Sequence, residues 1–226
     1  MLSNRLTLAA SLYTPCDMGA DIGTDHAFLP CHLLVTGVCE RMLLSDLSPK
    51  ALARARAEVQ RRGLEGRTEL VCAPGLEALR ETACGCVSIT GMGGETIADI
   101  LRKGTEWLRG AALILSPQTE YPLVRRAALE IGYRPEQERL TRDDGRFYQV
   151  WRYVPGPWNP GEEALRYGSL LYSEEEFLLR AWLERRVSLC RKQLNGLRTA
   201  AAPDEQATAQ AEGDLRFYEH QLGRRS

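Results

Sequence analysis

Five short apolar runs, each followed by a turn-like or Gly/Pro-bearing segment, alternate with helical patterns in the first half of the chain, and two longer runs then follow back to back. The five are residues 16–21, 41–45, 68–72, 86–90 and 111–115. Their length and composition predict strands. Helical spacing separates them, most clearly at 49–62, where Ser48 can N-cap, Pro49 suits the first helical position, and Ala51, Leu52, Ala55 and Val59 make an apolar face. Gly63 stops that pattern. Leu2, Leu6, Ala9 and Tyr13 predict a further amphipathic helix over 2–13. Strands alternating with helices imply parallel pairing, helices on both faces of the sheet and a ligand site at the strands' C-terminal ends.

The two later runs, 133–140 and 146–153, are separated only by Thr141-Arg142-Asp143-Asp144-Gly145, and Asp-Gly is a hairpin signal. A parallel α/β sheet finished by an antiparallel hairpin differs from a fully parallel nucleotide-binding sheet. It is the outline of the Rossmann-like class I methyltransferase fold, an analogy that by itself assigns no function. The breaker-rich segment Pro155-Gly156-Pro157-Trp158-Asn159-Pro160-Gly161 predicts a boundary, with one domain over 1–154 and a second over 155–226. In the second, Leu179, Leu183, Val187, Cys190, Leu194 and Leu197 form one helical seam, and Ala207, Ala211, Leu215, Tyr218 and Leu222 form another. With a turn near Thr199 to Pro203, residues 173–222 read as an antiparallel, coiled-coil-like helical hairpin.

Charge narrows the function classes. The chain has 29 Lys plus Arg against 30 Asp plus Glu, a net charge of -1, which argues against a globally basic nucleic-acid binder. The balance holds in each half, with 19 basic and 19 acidic residues in 1–154 and 10 and 11 in 155–226. Only within 180–198 does one sign dominate, where Arg180, Arg185, Arg186, Arg191, Lys192 and Arg198 face Glu184 alone. Such runs are usually solvated helix faces, and beside a methyltransferase-like domain phosphate contact is the favoured reading. Arg54, Arg56, Arg61 and Arg62 make a weaker basic patch. No run approaches the ~20 apolar residues a membrane span needs, and the chain reads as a cytoplasmic monomer without membrane contact. Its seven scattered cysteines, Cys84-x-Cys86 included, read as thiols in apolar runs rather than metal ligands, so no metal is expected.

The chemistry-bearing residues sit at the predicted strand ends. The first strand runs into Asp21-Ile22-Gly23-Thr24-Asp25-His26-Ala27-Phe28-Leu29-Pro30. An acid at a strand tip followed by glycine lets the backbone turn sharply against a ligand while the carboxylate holds an amino or hydroxyl group. Asp25 stands where the second glycine of a dinucleotide loop would be, which disfavours a dinucleotide and tolerates S-adenosylmethionine (SAM). Asp46 closes the second strand, where an acid can accept from ribose hydroxyls. Each acid alone could merely cap an element; the two at matching strand ends favour ligand binding. The fourth strand ends in Gly91-Met92-Gly93-Gly94, which leaves room for a flat base. A plain glycine turn before a helix is the alternative.

Together with Leu44-Ser45-Asp46-Leu47-Ser48-Pro49, Leu2-Ser3-Asn4-Arg5-Leu6 and Tyr167-Gly168-Ser169-Leu170-Leu171, these segments make the whole chain resemble the bacterial tRNA (adenine-22-N1)-methyltransferase family, TrmK. The resemblance implies a SAM-dependent enzyme that acts on tRNA, with a coiled-coil-like C-terminal domain that helps hold it. Two segments depart from the family pattern. Ala73-Pro74-Gly75-Leu76 replaces G-D-G-L and removes an acid expected near the cofactor's adenine, and Ser116-Pro117-Gln118 replaces Q-P-N.

The expected cofactor site comprises Asp21, Gly23, Asp46, Leu47, Gly75, Gly91 and Met92. Gly93 and Gln118 are expected at the target base, with Arg180, Arg185 and Arg191 on tRNA phosphates. Asp25 is the expected catalytic carboxylate, stabilising the cationic product base or taking its N6 proton, with His26 assisting; a histidine merely fixed in the helix-start turn is the competing reading. Tyr121 or Phe28 is a candidate to stack on the base. A SAM- or RNA-binding module with lost catalysis is the second reading, and a methyltransferase for another substrate the third.

Overall fold

The computed structural model describes residues 2–168, 176–199, 202 and 204–225, and the chain divides into two compact units, Met1–Leu171 and Tyr172–Ser226. In the first, α1 (Asn4–Ser11) leads into β1 (Cys16–Ile22), α2 (Phe28–Val35), β2 (Cys39–Asp46), α3 (Pro49–Arg61), β3 (Thr68–Cys72), β4 (Cys86–Thr90), α4 (Gly94–Leu108), β5 (Ala112–Ser116), α5 (Tyr121–Glu130), β6 (Tyr133–Asp143), β7 (Arg146–Pro155) and α6 (Glu162–Tyr167). The sheet order is β3-β2-β1-β4-β5-β7-β6, in which β1 to β5 pair in parallel and β7 runs antiparallel to both neighbours.

Local chemistry sets the boundaries much as the sequence predicts. Ser48 accepts from the Ala51 amide at 3.3 Å and Pro49 opens α3, whose Ala51, Leu52, Ala55 and Val59 are buried. The predicted five-residue turn shrinks to two, because Asp143 pairs with Arg146 and only Asp144 and Gly145, at φ 46° and 74°, make the reversal. Two successive positive φ values are the geometry that Asp-Gly tolerates, and its twist suits the flanking strands.

The sheet buries apolar side chains on both faces. Ile22, Leu43, Ile89, Leu113, Leu115 and Trp151 lie under α4 and α5, and Met42, Leu44, Ile114 and Val150 pack with α1, α2 and α3. The first core encloses an ion pair, Arg125 to Glu138 at 2.7 Å, with each side chain 1% exposed. Arg125 also donates to Gln149 at 3.2 Å and lies 4.3 Å from the Trp151 ring centroid, while the Tyr153 hydroxyl donates to Glu138 at 3.1 Å.

The compact boundary falls after Leu171, later than the break at 154 that the proline-rich segment suggests. The difference is α6, which packs on α5 and sets Glu162 against Arg126. In the second unit, α7 (Glu176–Thr199) and α8 (Glu205–Gly223) pack together, burying Leu179, Leu183, Val187, Cys190 and Leu194 against Ala211 and Tyr218. Residues 169–171 of the terminal-hairpin motif, 173–175 of the predicted helical hairpin, and 200, 201 and 203 of its turn lie outside the described residues.

Candidate functional site

The parallel strands carry the predicted residues of the first unit to one edge of the sheet. At the tip of β1, Asp21 is 7% exposed and accepts from the Ser88 hydroxyl of β4 at 2.6 Å. Burial raises its carboxyl pKa to about 6, against the lowering effects of the Ser88 and Thr24 hydroxyls and of the Arg5 charge. Asp21 is therefore a carboxylate held in a costly place, a property common at functional sites. Next to it the Gly23 amide donates to the Ser45 carbonyl at 2.7 Å and the Thr24 amide to the same oxygen at 2.9 Å. Gly23 adopts φ 79°, and a Cβ there would come 1.9 Å from the Met92 methyl. Only glycine both permits that turn and leaves the space over it.

Asp46 at the tip of β2 is half-buried and accepts from the Ser48 amide at 2.7 Å, so one carboxylate oxygen fixes the turn into α3. Leu47 follows, 68% exposed. The Gly91–Gly94 turn is bound to the end of β5 along its length: Gly91 donates to the Ser116 carbonyl at 3.1 Å, Gln118 to the Met92 carbonyl at 2.9 Å, and Gly94 to the Thr119 hydroxyl at 3.2 Å. At Gly94 an added Cβ would lie 2.3 Å from the Thr119 carbonyl oxygen, so the two loops approach as closely as backbones can. Gly93 and the exposed Gln118 are thereby neighbours.

A cavity of about 640 Å³ opens between Leu47, the turn Pro74–Leu76 and the outward face of α4. Its walls are mostly apolar, with Ile100 and Trp107 opposite Leu76, and its carboxylates are Glu77, Glu95 and Asp99, the last paired with Lys103 at 3.1 Å. Gly75 lines it.

Asp25 and His26 lie outward of this edge. Asp25 is half-exposed, ion-paired with Arg54 of α3, and 3.5 Å from His26. The His26 and Phe28 rings stack with centroids 5.4 Å apart at 10°, and Phe28 is 45% exposed. Tyr121 instead packs against buried Trp151, with centroids 5.9 Å apart.

Arg180, Arg185 and Arg191 lie on α7 of the second unit. Arg180 pairs with Glu184 at 3.2 Å and Arg191 with Glu219 of α8 at 2.7 Å, while Arg198 pairs with Glu212 at 2.9 Å. The charge run is thus more balanced than its own helix suggests: α7 and α8 together carry seven basic and six acidic residues. Arg185 and Lys192 have no ion pair among the described residues. Cys84 and Cys86 form no metal-binding group with other ligands among the described residues, where Cys86 is buried and Cys84 half-buried.

Arg5 lies in a segment that carries the family resemblance but is not among the site residues the sequence predicts. Its guanidinium abuts the Gly91 turn, yet nothing in the spacing of residues 2–13 signals it.

A parallel sheet with a single antiparallel insertion at β7, and acids at the tips of β1 and β2, defines a Rossmann-like class I methyltransferase fold. The chain belongs to the methyltransferase domain family, which matches residues 2–151. It is 30% identical over 150 residues to the tRNA (adenine(22)-N(1))-methyltransferase of Bacillus subtilis (strain 168). That match covers 66% of this chain and 63% of the relative's length. Among solved structures, the B. subtilis m1A22 tRNA methyltransferase TrmK superposes with a TM-score of 0.81 at 23% identity, covering 98% of this chain and 99% of that one. M. capricolum TrmK in complex with S-adenosyl-homocysteine (SAH) gives 0.84 at 24%, covering 99% and 98%.

Proposed function

We propose that the chain is a SAM-dependent methyltransferase that modifies N1 of an adenine in tRNA, adenine 22 by likeness to its relatives. The observation that carries the reading is a buried acid at the β1 tip, at the same sheet edge as the glycine turn that follows β4 and the apolar cavity lined by Leu47 and Gly75.

The residues fit the cofactor. Asp21 suits its ammonium group, Asp46 its ribose hydroxyls, and the apolar cavity walls at Leu47 and Gly75 its adenine, with Gly91 and Met92 bordering the site. Glu77 and Glu95 supply carboxylates in the same cavity from which the acid at 74 is missing. When bound, SAM supplies an electrophilic methyl group. Adenine N1 carries an in-plane lone pair and needs no prior deprotonation, so the protein's work is alignment and exclusion of water. Gly93 leaves space for the ring, and the Gln118 amide can pair with an adenine edge through both donor and acceptor. Asp25, steered by His26, stabilises the positive charge of the product base or takes its N6 proton once Arg54 yields. A target base in a paired stem must be extruded first.

On this reading residues 155–226 make the tRNA-binding domain, the enzyme works as a monomer in the cytoplasm, and Arg180, Arg185 and Arg191 meet phosphates. The test is incubation with labelled SAM and two tRNA transcripts that differ only by guanine in place of adenine 22. Label in the adenine transcript alone is expected. Equal label in both rejects the position, and label in neither rejects the enzyme.

A further inference from the structure

We propose that Arg5 is a cofactor-positioning residue whose guanidinium grips the carboxylate of the amino-acid end of SAM, opposite the ammonium held by Asp21. The inference rests on the SAM reading above and adds a residue to it.

The carrying observation is an unsatisfied donor. Arg5 Nη1 is buried and has no hydrogen-bond partner among the described residues. A buried donor left unpaired forfeits its hydration without replacement, the more so when charged, so such groups are rare unless a ligand completes them. The nitrogen lies 3.2 Å from the place a Cβ on Gly91 would occupy, which puts it against the turn at the end of β4. Its charge is also felt at Asp21 on the neighbouring strand.

The rest of the residue is held firmly. Asn4 donates its amide to the Arg142 carbonyl at 2.9 Å, the Arg5 backbone amide donates to Asp143 at 3.4 Å, and the guanidinium lies 5.5 Å from the Tyr148 ring centroid. A residue serving only to tie α1 to the β6–β7 hairpin would spend its guanidinium on the hairpin's acids or carbonyls. Here the backbone and Asn4 make the polar tie, and Nη1 is left facing the site.

One free cationic donor and one buried carboxylate at the same edge match an α-amino acid zwitterion in sign and order. A guanidinium is also the group best suited to a planar carboxylate.

The test is calorimetric binding of SAH and of 5′-methylthioadenosine, which lacks the amino-acid end, to the full chain and to Arg5→Gln. The variant should bind SAH about 10-fold to 100-fold more weakly, as expected for a lost charge-assisted hydrogen bond. Methylthioadenosine should bind both proteins within about 2-fold, which also shows that the variant is folded. Parallel losses for both ligands, or no loss for either, would overturn the assignment. A readout that needs no variant is the affinity of the unaltered protein for decarboxylated SAH, expected to fall by a similar factor; affinity equal to that for SAH would overturn the proposal as well. Unaltered protein that binds none of the three would reject the cofactor reading and Arg5 with it, whereas normal SAH binding without discrimination at Arg5 rejects the Arg5 role alone.

Discussion

Among the described residues, the first unit adds to its exposed ion pairs one sealed in the core, whereas the pairs that join the helices of the second lie at its surface. In the first, Arg125 and Glu138 are both sealed in the core and each is shared with further partners, Gln149 and Tyr153. In the second, Arg191 pairs with Glu219 and Arg198 with Glu212 across two helices, all at side chains at least 38% exposed. A buried pair fixes geometry and becomes a liability if one partner is lost, whereas an exposed pair contributes little and exchanges readily. Positioning chemistry therefore belongs to the sheet unit, and the helical pair can trade a glutamate for a phosphate at small cost.

The sharpest test of that contrast is Glu138→Ala against Glu219→Ala, with urea unfolding as the measurement. Loss of the buried partner should cost about 3–5 kcal/mol, and loss of the exposed one less than about 1 kcal/mol. Equal losses would break the comparison.

Next in size is Asp21→Asn. The carboxyl titrates at about 6 in the folded chain and near 4 when unfolded, so the folded state keeps its proton to higher pH. Stability is lost as pH rises through that window, and the full penalty, on the order of 3 kcal/mol, is present above it. The asparagine variant should therefore be more stable than the parent at pH 8 and equal to it near pH 4, while binding SAH more weakly. A variant less stable at pH 8 would show that the ionised acid supports the fold.

Gly23→Ala should weaken SAH binding about 10-fold, because the new methyl group meets Met92 and φ 79° is strained for alanine. Wild-type affinity in that variant would remove the turn from the site.

The smallest effect concerns the second unit. Replacing Arg185 and Lys192 by alanine should lower tRNA affinity several-fold and flatten its salt dependence by roughly one unit per lost contact, measured by filter binding over a salt series. Arg191→Ala should do less, since Arg191 must first leave Glu219. The reverse order would mean that the ion pairs are themselves the phosphate site.

Much of the sheet is legible in the sequence because its signals are local. Apolar runs, Ser48-Pro49 and Asp144-Gly145 each decide their own neighbourhood, and strand tips follow from strands, so the strand pattern alone is enough to put Asp21 and Asp46 at the C-terminal edge of the sheet. What is not legible depends on partners far along the chain. Ser88 beneath Asp21, the bonds from Gly91 and Met92 to Ser116 and Gln118, and the position of Arg5 arise only when strands distant in sequence become neighbours. The charge balance around the arginine run on α7 is hidden for the same reason. The partners of Arg191 and Arg198 lie on α8, in one antiparallel register that a count along a single helix does not see. α6 leaves no periodic signal because six residues are too few to show a helical repeat.

The tie between α1 and the final hairpin joins residues 138 positions apart. Arg5 is synthesised well before its neighbours Arg142, Asp143 and Tyr148, which come near the end of the sheet unit. At roughly 5–20 residues per second, α1 waits on the order of ten seconds for these partners. The nascent chain can thus gather its central strands well before α1 is tied to the final hairpin.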